Sequence, residues 1–583
     1  MGFLTPSPAP FDVDEWEKLP HLERIKPLAQ DWAVNGFGTP NAVYLLYIVK
    51  LVVYVGGGLL LISATSGLGG IGDIGSWWTE PIVFEKAVVW TMLWEVLGLG
   101  AGSLPLTLRF SPMIGGVLYW LRPGTTRLPP WPDKVPLTRG TTRTLFDVAL
   151  YAGLIAAALF LLIADGTSAA GTAAGRLDPV AVGALLAILA LLGLRDKVPF
   201  LAARAEIYGN LMIIFLFPLG NLIVAAQLVF ICIWWGAASS KLNRHFPFVV
   251  TVMISNTPWN RSRTAKRLLY RKHPDDLLPS RIGDLSAHMG TVLEFTLPFL
   301  LLVSQGGTIG TIAAAGMIVF HLHILSTFPL AVPLEWNIFM IFGILFLFGH
   351  YGSVPFSTLE DPLLIAILAV TCVGIPILGN FRPDLVSFLP SMRYYAGNWA
   401  TSQWLFRKET DAEGKLDSSI VKAAAVPVEQ LVKFYDRQTA ELLLYKGLAF
   451  RSMHSHGRAI NGLLPHAVDD IDAYRVREGE LIAGVVLGYN FGDGHFHNHT
   501  LLAAVQERCD FEPGDLRVVT IESQPAHIQR QHYRIFDAAT GLIEEGWVNV
   551  ADMVERQPWL DGAPFPAERL AGKGDGGAAT PVA

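Results

Sequence analysis

The chain has 583 residues, 51% hydrophobic and 16% charged, against roughly 25% charged in an average soluble domain, so lipid is the expected solvent for much of it. The net charge of −6 argues against nucleic acid as a partner. Three cysteines, Cys232, Cys372 and Cys509, are too few and too scattered for a disulfide framework or a Cys-based zinc site.

The first residues, Met1 to Asn41, are polar and lack the charged-then-apolar pattern of a signal peptide. A membrane crossing needs roughly 20 largely apolar residues. Ala42–Ser63, Val83–Leu104, Leu145–Ala164 and Pro179–Leu194 meet that need in the first half, and His288–Ser304, Ile309–Phe328, Trp336–Tyr351 and Leu363–Leu378 in the second. Between them Ile207–Ser240 is uncharged for longer than one crossing requires, with Pro218, Gly220 and Asn221 at its middle. Lys and Arg of short loops stay cytoplasmic, and the loops Arg109–Arg143, Arg195–Arg204 and Lys241–Arg281 are basic. Ile207–Ser240 must then enter and return, as two short helices or a re-entrant hairpin broken near Pro218–Asn221; a kinked single helix is the other reading. A broken segment survives where protein or a water-filled cavity surrounds it, and so points to a binding site.

After Arg382 the character changes. Ser419–Lys446 has apolar residues at helical spacing, and Glu480–Tyr489, Asp515–Glu522, His532–Asp537 and Ile543–Val548 read as strands separated by turns. The expected fold is an α-helical polytopic membrane domain of about 8–10 segments, one broken or re-entrant, followed by a cytoplasmic α+β C-terminal domain. Its divisions are residues 1–41, a cytoplasmic N-terminal segment; 42–382, the transmembrane domain; 383–418, a linker; 419–569, the soluble domain; and 570–583, a disordered tail. The expected location is the bacterial cytoplasmic membrane, with both termini cytoplasmic.

Ionisable residues inside membrane helices mark sites by default. Lys50, Glu95, Asp147, His288, Glu294, His321, His323 and Glu335 lie in or at the ends of spans. Structural ion pairing competes with a functional role for each, and Glu294, deep in its span, needs an interhelical partner. His321 and His323 are two apart, about 200° on a helix, and cannot chelate one ion together. In the soluble part His495, His497 and His499 would share one face of a strand and, with Asp493, could offer a divalent metal three nitrogens and a carboxylate. A polar turn with hydrogen-bonded His is the competing reading.

The stretch Trp234-Trp-Gly-Ala-Ala-Ser-Ser-Lys241-Leu-Asn-Arg-His-Phe-Pro, with Leu121-Arg-Pro-Gly-Thr-Thr126 and Asn490-Phe-Gly-Asp-Gly-His495 among others, resembles the bacterial multi-pass family known as domain of unknown function 3556. A slighter resemblance, carried by Trp235 to Leu242, is to the transmembrane domain of vitamin-K-dependent γ-carboxylase-like proteins. That resemblance implies Lys241 as a base acting on a reduced quinone; a lysine at a cytoplasmic helix end is also what loop charge alone predicts. Two functions follow as expectations. One is a membrane enzyme acting on a lipid or isoprenoid quinone, with Lys241 as base, Glu294 and His288 assisting proton movement, and a cavity around the broken segment. The other is a non-catalytic apolar-ligand transporter or complex partner, in contact with membrane lipids and with protein partners or further copies of itself.

Overall fold

A computed structural model describes residues 2–100, 116–132, 134–327, 334–393, 396–416, 426–489, 494–559 and 565–570. Helix α1 (His21–Asn35) precedes the membrane part. Six helices are long and apolar enough to cross a membrane: α2 (Asn41–Ser63), α4 (Leu145–Ile163), α7 (Leu219–Ser240), α9 (Arg281–Ser304), α10 (Gly307–Thr327) and α12 (Pro362–Phe381). Shorter α3 (Pro81–Val96), α5 (Pro179–Arg195), α6 (Ala205–Ile214), α8 (Phe246–Ser255) and α11 (Leu334–His350) complete the bundle. α7 is its centre. Two thirds of its apolar window is buried inside the protein (67%), against 28% for α2 and 17% for α12, so those two present most of their surface to lipid.

One face of the bundle is built by loops that bond each other. The Ser66 N–H donates to Asp165, the Ala173 N–H to Glu80, the Glu360 N–H to Asn221 and the Tyr351 hydroxyl to the Thr79 carbonyl. The opposite face meets the C-terminal domain, where Trp120 donates to the Leu487 carbonyl, Lys197 to the His495 carbonyl and the Ala526 N–H to the Asn380 carbonyl. Followed from face to face, α2 to α7 and α9 to α12 make ten passes among the described residues. The first and last passes thus begin and end beside the C-terminal domain.

The segment Ile207–Ser240 does enter and return. α6 is short and α7 is full-length, with the break at Phe215–Pro218. Several basic side chains of the loops that flank these helices are buried: Arg127, Arg143 and Arg204 are 1–2% exposed. Arg143 pairs with Asp196, while Arg127 and Arg195 both reach Asp147 at the start of α4. Asp147 also completes a capping box with Thr144, so these charges tie helix ends together.

The C-terminal domain holds a six-stranded antiparallel sheet in the order β4-β3-β5-β6-β7-β8; a separate hairpin, β1 (Tyr270–Lys272) and β2 (Asp276–Pro279), joins α8 to α9. The sheet strands are β3 (Thr401–Arg407), β4 (Tyr474–Glu478), β5 (Leu516–Ile521), β6 (Arg530–Asp537), β7 (Gly541–Asn549) and β8 (Glu568–Arg569). β3 falls in the stretch read as linker, yet pairs with β4 and β5 at the heart of the sheet. Helices α13 (Arg437–Met453) and α14 (Ser455–Ala467) pack with it, and α1 lies along α13 through Ile25, Leu28, Tyr445 and Leu448, with Trp16, ahead of α1, edge-on to Tyr445. One sequence expectation is corrected here: Glu480–Tyr489 is not a strand but lies mostly in helix α15 (Gly479–Leu487). Its apolar residues are buried on all sides, which erases the period that separates helix from strand. Glu478 caps its first turn and Gly488, at φ 81°, ends it.

Candidate functional site

A cavity of about 390 Å³ opens among α7, α8, α9, α10 and α11. Its wall is mostly apolar and aromatic, from residues such as Trp234, Phe246, Met253, Phe320, Trp336 and Met340. On α7 the lining residues Trp234, Ala237 and Lys241 follow the i, i+3, i+7 rule of one helical face, and on α9 Ala287, Gly290 and Glu294 do the same. These two faces bring together two residues predicted from sequence. The Lys241 ammonium, at the C-cap of α7, hydrogen-bonds and ion-pairs with the Glu294 carboxylate, their side chains only 9% and 5% exposed. Phe246 and Phe320 place ring faces 5.4 and 5.9 Å from the Lys241 nitrogen, a stabilising arrangement for a desolvated cation. His288 does not join them. It is exposed on another face of α9 and does not line the cavity.

His321 also faces the cavity, from α10, while His323 is exposed at its rim. The indole N–H of Trp234 can only donate, so the His321 Nε2 accepts it at 3.0 Å, and His321 Nδ1 donates to the Asn337 Oδ1 at 2.8 Å. Both ring nitrogens are therefore used and the ring is neutral. The second cation of the wall, Arg204, lies 3.0 Å from the Glu95 carboxylate of α3 and over the ring of Trp336. Each cation thus faces its own carboxylate. Sequence reading named Glu95 and His321 without a partner; the seven-residue interval from Trp234 to Lys241 is the signal that would have grouped the wall.

This cavity does not surround the broken segment, where one was expected. The break lies at the opposite end of α7 from Lys241, about 33 Å away at 1.5 Å per residue, and its residues do not line the cavity. Arg176 occupies the break instead, donating to the Phe217 carbonyl at 2.6 Å and the Phe215 carbonyl at 2.9 Å while pairing with Glu85. Those are the carbonyls that an interrupted helix leaves without partners.

The histidines proposed for a metal are each engaged with another side chain. His495 bonds Glu522 at 3.0 Å, His497 bonds the Ser402 hydroxyl at 2.7 Å, and His499 begins helix α16 (His499–Cys509) with its ring stacked on Phe536. They stand on a turn and a helix, so no strand aligns them; Asp493 lies outside the described residues. No group of three His, Cys, Asp or Glu among the described residues could hold a metal ion. Burial lowers His497 to about 3 and His499 to about 4. Burial would raise Glu522, but the charge and hydrogen bond of His495 outweigh it and hold the carboxyl near 2.

Comparison with known families matches residues 1–570 to DUF3556, described as a transmembrane protein of unknown function. The chain belongs to this family. The match covers both the membrane bundle and the sheet domain, so the DUF3556 protein is one unit in which the two occur together. Neither a curated protein nor a solved structure matches it.

Proposed function

We propose that this DUF3556 protein is a membrane enzyme that admits a lipid-like or isoprenoid-quinone substrate to the cavity and moves a proton there with Lys241 and Glu294. The observation that carries the reading is the buried Lys241–Glu294 pair on an otherwise largely apolar wall. Burying two charges is costly even when they are paired, and such a pair in a membrane bundle marks function by default. A volume of about 390 Å³ is in the range of small-molecule pockets. Because Arg204 and Lys241 already face carboxylates, an anionic head would set a second negative charge beside Glu294. An uncharged head with a carbonyl or hydroxyl suits the wall better.

In the charged pair the proton sits on Lys241. Its transfer to Glu294 leaves an amine and a carboxylic acid, a pair without net charge on either member, which a low-dielectric wall tolerates. The amine then takes the proton of a lipid or reduced-quinone hydroxyl, leaving an ammonium and a substrate oxyanion, and Glu294 later returns the first proton to the product, which restores the charged pair. His321, with both nitrogens occupied, orients Trp234 and Asn337 and moves no proton. The resemblance of Trp235 to Leu242 to the carboxylase-like transmembrane domain supports the same role for Lys241.

Complementation of a deletion strain tests this. Lys241→Arg keeps the charge, but a guanidinium does not deprotonate in proteins, so function is lost while membrane abundance stays at the wild-type level. Full complementation by the Arg variant would remove Lys241 from the chemistry.

A further inference from the structure

Lys241 and α8, two parts of the cavity wall, are joined by four residues, and the C-terminal domain grips that joint. Asn243 shapes it: the side-chain oxygen accepts the N–H groups of His245 (2.7 Å) and Phe246 (2.9 Å), and the side-chain nitrogen donates to the carbonyls of Ser240 (2.5 Å) and Ala396 (3.1 Å). His245, 1% exposed, then points out of the bundle into the C-terminal domain. Its Nε2 lies 2.7 Å from the Gln524 Oε1 and its Nδ1 lies 2.6 Å from the Ser455 hydroxyl.

The donors can be assigned. The Gln524 amide nitrogen donates to the Ile528 carbonyl at 2.8 Å, so its oxygen is the acceptor and His245 carries its hydrogen on Nε2. Nδ1 accepts from Ser455. Gln524 is itself fixed: its backbone N–H donates to the Asn398 Oδ1 at 2.6 Å, and the Asn398 amide returns a bond to its carbonyl at 2.8 Å. Gly397 presses on the same joint from the other side. At φ 74° it has no side chain, and a Cβ there would come within 2.7 Å of Val249 and 3.0 Å of the His245 carbonyl. Beyond the joint, Phe246, Val249, Val250 and Met253 of α8 line the cavity.

We propose that His245 is a positioning residue through which the C-terminal domain sets Lys241 and α8 against the cavity, so that the 523–528 loop and the joint between α13 and α14 govern ligand retention. A shift of Gln524 or Ser455 pulls a joint only four residues from Lys241, while Glu294 stays on its own helix. The inference rests on the proposed function only in taking the cavity as the ligand site.

Gln524→Leu and Ser455→Ala change residues outside the cavity and test it in the full chain in detergent. Each removes one bond to His245, and Gln524→Leu also removes the bond to the Ile528 carbonyl, so Ser455→Ala is the cleaner of the two. The expected result is amide exchange in residues 242–253 faster by about fivefold, the effect of one lost hydrogen bond, with less copurified lipid-like ligand by mass spectrometry and an unchanged melting temperature. Exchange at the wild-type rate in both variants overturns the inference, as does faster exchange with full ligand retention. If Gln524→Leu does not fold, Ser455→Ala, which loses only a hydroxyl, decides. If the wild-type protein carries no ligand, the proposed function loses support, and the exchange rates alone judge the role of His245.

Discussion

Lys241 and Glu294 stand 53 positions apart in sequence, on helices α7 and α9, and form an ion pair at the wall of a largely apolar cavity. Neither helix face would bury its charge alone. The pair therefore fixes how the two helices meet as well as what the cavity can do.

Breaking such a pair leaves one buried charge without its partner, at a cost of about 3–5 kcal/mol, whereas replacing both members by apolar groups is often neutral or stabilising. Lys241→Met and Glu294→Leu are thus expected to lower the melting temperature singly, and the double variant to recover most of the loss. Thermal melts in detergent check this, and singles as stable as the double would show that the pair is not formed.

Arg176 is expected to be structural. Arg176→Ala frees the carbonyls of Phe215 and Phe217 and leaves Glu85 buried beside an empty place, a loss of about 3–5 kcal/mol. Arg176→Lys keeps the charge but not the planar fork that reaches both carbonyls, and recovers only part. Retained ligand should be unaffected in the Lys variant, since the break lies at the far end of α7 from the cavity.

The C-terminal domain should lose stability in mild acid. Burial lowers His454 and His497 to about 3 and His499 to about 4, from 6.5. Each folded-state pKa is depressed, so each contribution is complete above pH 6.5 and is lost as pH falls toward 4 and 3, by about 1.4 kcal/mol per pH unit per group. Glu478 acts the other way. Burial raises it to about 7, against the pull of Arg451, so its share of stability is fully present below 4.5 and is lost as pH rises through 7. Glu522, held near 2, adds its own loss only below 4.5. Burial lowers His456 and His532 as well, so between pH 6.5 and 5 the histidines outnumber the one carboxylate, and amide exchange in β3 to β7 should speed up as pH is lowered, after correction for intrinsic rates. Slower corrected exchange at pH 5 would contradict the assignment.

Much of the bundle was legible because apolar length is a strong signal. Asn41–Ser63 and Leu145–Ile163 agree with the sequence reading to within one residue at each end, and the pause at Pro218 marks a true helix break. Its meaning was not legible, because Arg176 reaches it from a distant loop. The hairpin around Thr540, from β6 to β7, was also plain from its turn. β3 was missed because Thr401–Arg407 shows no alternation: all but its last residue are buried, as in a strand covered on both faces. The His495 to His499 run was read at period two, but Asn498 caps a helix there by accepting the Thr500 N–H. Lys241 and Glu294 were both singled out from sequence, yet their pairing depended on how two helices rotate against each other, which neither helix encodes by itself.

Photocrosslinking tests most directly that the Lys241–Glu294 cavity holds a substrate. A photoreactive residue is placed at Met253, in the cavity wall, and in a second variant at Leu293, which faces outward from α9 and is 41% exposed. The account predicts that Met253 captures one uncharged-headed lipid or isoprenoid species, enriched over the mixture of membrane lipids captured at Leu293. The same lipid mixture at both positions, or no adduct at Met253, would contradict it.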